Sequence, residues 1–351
     1  MSLLEDKSQN TTPISQLGEF GLIGHLTKNI VLTHKNTVKG VGDDAAVIDI
    51  GDKYQLISTD LLVEGVHFDL AYTPLKHLGY KAVAVNVSDI CAMNGEAKQI
   101  TLGLAMSNRF TVEALEELYA GIHLACEHYK VDLVGGDTTS STSGLMISIT
   151  VLGEVEKNKI SYRSGAKVND LLIATGDLGA AYLGLQLLKR EKELFVGNPT
   201  IQPDLTGNDY VLARQLKPEA GVKYIKILDE LGIIPTSMID ISDGLSSEVL
   251  HLAKSSGVGI TIYEDKIPVD YTAMNLANEF NLNPIFCALS GGEDYELLFT
   301  VSQEHYDKLK KDADFTIIGF VTDASDGNNF IANDGSSHSL TAQGWDAISK
   351  K

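Results

Sequence analysis

Cysteine is scarce in this sequence: Cys91, Cys126 and Cys287 are the only three among 351 residues. Their number is odd, their spacing is wide and no CxxC occurs. That argues against a disulfide framework or a thiolate zinc site and fits a reducing cytoplasm. Hydrophobic runs are short. None approaches the ~18 residues of a membrane span, and the opening MSLLEDKSQNTTP has no apolar signal core. Positive charge is sparse as well. There are 28 basic residues against 47 acidic ones, a net charge of −19, and the longest basic run is Lys310-Lys311. A nucleic-acid binder needs a basic footprint, and none is present. An acidic chain that handles anionic substrates needs cations between itself and them. Two common phosphate devices are also missing: there is no GxxxxGK[ST] loop and no HRD/DFG pair, which excludes P-loop enzymes and protein kinases.

What is present is an ordinary globular balance, 44% hydrophobic and 21% charged, over a length that predicts two domains. Residues 1–15 read as a polar, loose tail. The composition turns polar at EKNKISYRSGAKVND (156–170), so the boundary falls there: an N-terminal domain over 16–155 and a C-terminal domain over 156–351. Within them, strands are expected at 53–59, 131–137 and 144–155, and helices at 76–94 and 111–129. The second helix carries Leu115, Leu118, Ile122 and Ala125 on one face. In the second half, 170–190 reads strand, glycine turn, helix, and 191–209 reads as a long polar loop. Residues 236–259 read strand, acidic turn, helix, with Ser242 or Asp243 as N-cap and Gly257 as C-cap. The class is α+β or α/β with mixed sheets.

Glycine is abundant, at 32 residues, and gathers beside acids. Five segments each set an aspartate at the end of an apolar element: GVGDDAAV (40–47), STDLLVEGVHF (58–68), NVSDI (86–90), VGGDTT (134–139) and DISDGLSSE (240–248). A single Asp-Gly pair is usually a turn or a cap. Five, each closing an apolar run, are harder to read as turns alone. Carboxylate and hydroxyl oxygens are hard ligands suited to Mg²⁺, which keeps a few carboxylates and completes its shell with water and phosphate. The pattern points to several Mg²⁺ ions bridging the protein to a polyphosphate.

Taken with GEFGLI (18–23), RSGAKVND (163–170) and SGGEDYELLFTV (290–301), these segments resemble the thiamine-monophosphate kinase family across about residues 18–345. GDDAAV and GGED identify only the wider PurM-like superfamily; the other motifs in combination are more specific. The resemblance implies a two-domain PurM-like fold whose N-terminal α+β domain pairs with its twin in a homodimer. It implies ATP as co-substrate, thiamine monophosphate as acceptor and direct in-line transfer. It assigns Asp43, Ser58, Thr59, Asp60, Asp89, Asp137, Asp240 and Asp243 to Mg²⁺. Contacts to ATP fall to Thr59, Tyr119, Gly136, Asp137, Arg163 and Ser242, and contacts to the thiamine substrate to His67, Glu293 and Trp345. Asp44 stands beside the metal cluster with no fixed role. The alternative roles are packing for His67, Tyr119 and Trp345 and a surface ion pair for Arg163. After VGGDTT the sequence reads SSTSG, where many relatives carry an arginine, so any anion contact from that residue is absent.

Two rival readings stay open at this level. One is another ATP-dependent enzyme of the superfamily. A selenophosphate synthetase needs a reactive cysteine near its N-terminus, and a hydrogenase-maturation relative a cysteine-bearing tail where this sequence reads WDAISKK. An aminoimidazole ribonucleotide synthetase fits STDLLVEGVHF and Trp345 less well. The other rival is a non-catalytic nucleotide or thiamine-phosphate binder, whose signature would be a lost metal aspartate; none is lost.

Overall fold

The computed structural model describes residues 13–342. The first part of the chain runs α1 (Gly18–Thr27), β1 (Thr37–Lys39), β2 (Ala46–Asp49), β3 (Lys53–Val63), α2 (Leu75–Ala92), β4 (Glu96–Met106), α3 (Val112–Tyr129), β5 (Asp132–Ser140) and β6 (Met146–Glu156). These strands form one mixed sheet in the order β1-β2-β3-β6-β4-β5, with only β4 and β5 parallel. The second part runs β7 (Leu171–Thr175), α4 (Ala180–Gly197), α5 (Asp209–Leu216), α6 (Val222–Glu230), β8 (Ser237–Asp240), α7 (Leu245–Ser256) and β9 (Gly259–Tyr263). It closes with α8 (Tyr271–Glu279), α9 (Pro284–Ser290), β10 (Leu297–Val301), α10 (Tyr306–Leu309), β11 (Phe315–Thr322), β12 (Asn329–Ile331) and β13 (Ser337–Ser339). Its sheet has the order β13-β12-β9-β11-β7-β10-β8, and only β12 and β9 are parallel.

Helix α2 is the hinge of the architecture. Its sequence, LKHLGYKAVAVNVSDICA, alternates valines in a way that suits a strand, yet it is helical because tertiary packing overrides propensity. Residues all round the helix are buried, as expected for one enclosed by protein on every side. One side meets the inner face of the first sheet, supplied by Ile147, Ile149 and Val151 of β6; another meets α3. The same buried cluster continues to Met238, Leu297 and Phe299 of the second sheet. Strand β6 buries every second residue, so the opposite face of the first sheet is left partly open.

Helices α2 and α3 approach through a glycine on each. A Cβ on Gly79 would lie 2.0 Å from the Leu118 carbonyl oxygen, and one on Gly121 would lie 1.8 Å from that of Lys76. Intrinsic helix propensity favours Gly121→Ala by up to ~1 kcal/mol. The clash forces two packed helices apart, and overpacking of this kind costs about 3 kcal/mol. The net expectation is a destabilised protein, measured as a lower urea midpoint with an unchanged m-value. An unchanged or raised midpoint would contradict the close crossing.

Two expectations are corrected by the coordinates. Helix α4 runs on to Gly197, so the loop expected over 191–209 shrinks to 198–208. The N-cap of α7 is Gly244 rather than Ser242 or Asp243. Gly244 has φ +111, a backbone that favours glycine, and a Cβ there would also press on the Leu289 carbonyl oxygen. Gly257 does cap the other end in the left-handed region, at φ +67.

Candidate active site

A cleft of about 560 Å³ opens between the two sheets, where α2 faces the end of β8. Alternation along β3 decides which of its residues reach it. Ser58 and Asp60 share the face turned to α2, whereas Thr59 points to the open face, where its hydroxyl lies 2.8 Å from that of Thr150. Ser58 Oγ donates to Asp89 Oδ2 at 2.5 Å, and the Asp60 amide donates to Asn86 Oδ1 at 3.1 Å, which locks the strand onto the helix. From the second sheet comes Asp240, the last residue of β8, whose Oδ2 accepts from Ser88 Oγ at 2.6 Å.

Carboxylate oxygens of Asp44, Asp89 and Asp240 lie within 4.8 Å of one another. Only one cation among the described residues is bonded to the trio: Arg163 reaches Asp44 through Nε at 3.1 Å and Nη2 at 2.7 Å, a two-pronged contact. Burial would lower the Arg163 pKa, but Asp44 raises it, so the guanidinium stays charged. Asp43 stands behind the trio, and its Oδ1 accepts from the Arg163 backbone amide at 3.0 Å. Its Oδ2 is buried without a hydrogen-bond donor and has only Lys39 Nζ, 3.4 Å away.

Such crowding raises the acids. Burial and then Asp44 push Asp60 up to about 6, and the same two causes push Asp240 to about 7. Asp89 is driven well above its ordinary range by burial, then by Asp60 and Asp240. Asp43 is raised by burial as well. Like charges gathered out of water, with Arg163 the one cation bonded to the trio among the described residues, form an oxygen-only donor set that suits a hard divalent ion. The residues present therefore fit Mg²⁺.

The cleft is also lined by residues of different chemistry. His67 Nδ1 accepts the Val63 amide proton at 3.0 Å, so the neutral ring carries its proton on Nε2. Burial lowers the His67 pKa, favouring that neutral ring. Glu293 lies close by in the loop between α9 and β10, and Phe20, Tyr72 and Tyr182 add aromatic walls.

Residues 42–155 match the family model for the AIR synthase related protein, N-terminal domain, and residues 167–329 that for the C-terminal domain. The thiamine-monophosphate kinase of Bacillus subtilis is 34% identical over 335 residues, 94% of this chain and 99% of that one. Its counterpart in Aquifex aeolicus is 36% identical over 308 residues, covering 88% and 92%. The chain belongs to the thiamine-monophosphate kinase family. A solved structure of AaThiL complexed with AMPPCP and TMP superposes with a TM-score of 0.82 at 35% identity, covering 96% of this chain and 99% of that one. The hydrogenase maturation protein HypE in complex with ATP, 18% identical with a TM-score of 0.67, shares the fold.

Against this family the residues singled out in the sequence divide into three groups. Ser58, Asp60, Asp89, Asp240, Ser242, Asp243, Arg163, His67 and Glu293 all line the cleft. Asp43, Thr59, Tyr119, Gly136 and Asp137 do not: Asp43 turns back to the Arg163 amide, Tyr119 packs half-buried on α3, and Gly136 and Asp137 lie on β5, the outer strand of the first sheet. Trp345 lies outside the described residues. One residue was left without a role and one was missed. Asp44, set beside the metal cluster with no fixed role, is a member of the carboxylate trio. Lys81 lines the cleft without belonging to any acidic motif. An apolar helical run interrupted by one lysine was the available signal.

Proposed function

We propose that this chain transfers the γ-phosphoryl group of ATP to the phosphate of thiamine monophosphate, giving ADP and thiamine diphosphate in one in-line step. The observation that carries the reading is the mixed lining of one cleft: converging carboxylates together with a neutral histidine, a further carboxylate and aromatic walls. The charged ends of both substrates belong against the aspartate trio and the heterocycles of the acceptor against His67, Glu293 and the aromatic rings. Bound there by Asp44, Asp60, Asp89 and Asp240, with Asp43 and Asp243 adjoining, Mg²⁺ would neutralise the two phosphates that have to approach each other. Arg163 orients Asp44 and adds a guanidinium beside the polyphosphate. Ser58 and Ser88 aim Asp89 and Asp240. No side chain needs to take the phosphoryl group itself.

The working unit in this proposal is a homodimer in which Tyr119, Gly136 and Asp137 serve ATP beside the subunit interface. What supports it is the outer edge of β5, which pairs with no further strand among the described residues, together with exposed Val112 and Val134; such an edge is one that single chains normally cover. We also place the protein in the cytoplasm. The support is that none of the described helices is long and apolar enough to cross a membrane, and that all three cysteines are free thiols.

Release of ADP from ATP should be fast with thiamine monophosphate and near background with thiamine, which lacks the attacking phosphate oxygen. Turnover of thiamine at an equal or higher rate, or ADP release that ignores the acceptor, would sink the assignment.

A further inference from the structure

Lysine is among the side chains least often buried without a partner. Lys81 sits on α2 with only 3% of its side chain exposed, and its ammonium reaches into the cleft wall. Nζ lies 3.0 Å from each carboxylate oxygen of Glu293 and donates to the Gln215 carbonyl at 3.2 Å. Gln215 in turn donates Nε2 to Glu293 Oε2 at 2.8 Å. Glu293 is therefore gripped from two elements, α2 of the first domain and α5 of the second. Its backbone is unusual too: φ is +60, a left-handed conformation rare for a residue with a Cβ. Hydrogen bonds from the Glu293 amide to the Ser242 carbonyl at 2.7 Å and from the Tyr295 amide to the Ile241 carbonyl at 2.9 Å hold it there. Strained backbone of this kind persists where its surroundings over-determine it, most often at ligand sites.

Lys81 and Ser88 are seven residues apart, two turns, so they share the face of α2 that looks across the cleft. That one face then fixes two carboxylates of the opposite domain: Asp240 through Ser88 and Glu293 through Lys81. We propose that Lys81, with Gln215 beside it, is a positioning residue for acceptor recognition: it holds the Glu293 carboxylate where an amine-bearing, cationic heterocycle can be met. The proposal rests on the reading of Glu293 as an acceptor contact. A lysine that merely ties the domains together has the same contacts, but its loss lowers stability and disturbs both substrates alike.

Steady-state kinetics with ATP and thiamine monophosphate separate the two. Lys81→Met should raise KM for thiamine monophosphate roughly tenfold while kcat and KM for ATP change less than about threefold. Gln215→Met should shift the same constant by about threefold. In a Glu293→Gln background, Lys81→Met should add less than about twofold, because the group it positions has already been altered. Equal shifts in both KM values, or costs that add in full in the double variant, overturn the proposal. Should a thermal melt show that Lys81→Met does not fold, Gln215→Met in both backgrounds decides by the same criteria. Wild-type protein that fails to use thiamine monophosphate removes the functional reading and this inference with it. Wild-type turnover without the KM split removes the inference alone.

Discussion

Asp89→Asn should lower kcat on the order of a thousandfold, as expected for loss of a main charge at a phosphoryl-transfer site, and at the same time make the metal-free protein more heat-stable. The two effects have one origin. Asp89 is buried against Asp60 and Asp240, and its ionised form is disfavoured there. A neutral amide nearly isosteric with the carboxylate removes that repulsion and keeps an oxygen for the Ser58 hydroxyl, 2.5 Å away in the native protein. Removing the charge also removes a hard ligand from a group of three, so affinity for the divalent ion falls and the phosphates meet without full neutralisation. Active sites commonly hold such charge at the expense of stability. ADP release and a thermal melt without metal, run on the same preparation, check both halves. A fully active variant removes Asp89 from the site, and one that is inactive with a lower melting temperature shows only a damaged fold.

Chelating divalent ions should reduce turnover to background, and the metal-free protein should be less stable at pH 8 than at pH 5. The sign follows from the shifted acids. Asp60 and Asp240 titrate near 6 and 7 in the folded chain, against an ordinary value of 3.8. Between those limits the folded state binds more protons than the unfolded one, so stability falls as pH rises. The contribution is fully present below about 3.8 and lost as pH passes through 6 to 7. Surface carboxylates such as Asp49, held low by its hydrogen bond from Lys157, act the other way, but only as pH falls below their ordinary range. Over the same range His67, His77 and His251, whose folded pKa values burial lowers, act against this trend and Asp294, raised to about 7, adds to it, so the buried carboxylates set the net sign and the Mg²⁺ dependence identifies which of them belong to the metal site. Mg²⁺ binds the deprotonated form, so it should raise the melting temperature more at pH 8 than at pH 5. Melts at the two pH values with and without Mg²⁺ provide the measurement. An equal Mg²⁺ shift at both, or none at pH 8, would break the link between these carboxylates and the metal.

By itself the sequence determined the chemistry of the aspartate cluster. Asp60, Asp89 and Asp240 are legible because each follows an apolar run with a serine within two residues, although only Asp240 ends its element, while Asp60 lies inside β3 and Asp89 inside α2. It also settled the class of fold, since strands and helices alternate through both halves and no long apolar run occurs. The tertiary structure alone decided which neighbours face inward. Asp43 and Asp44 are adjacent and chemically identical, yet only Asp44 joins Asp89 and Asp240, while Asp43 turns back to the Arg163 amide. Ser58 and Thr59 look equivalent as ligands, and the two-residue period of β3 sends one to the cleft and the other to the open face of the sheet. Lys81 was hidden for a related reason. Its partners Gln215 and Glu293 lie more than a hundred residues away, and no local pattern records a contact that exists only once α2 is enclosed between two sheets. Motif spacing reports what a segment offers to a ligand, whereas long-range packing decides where that offer points.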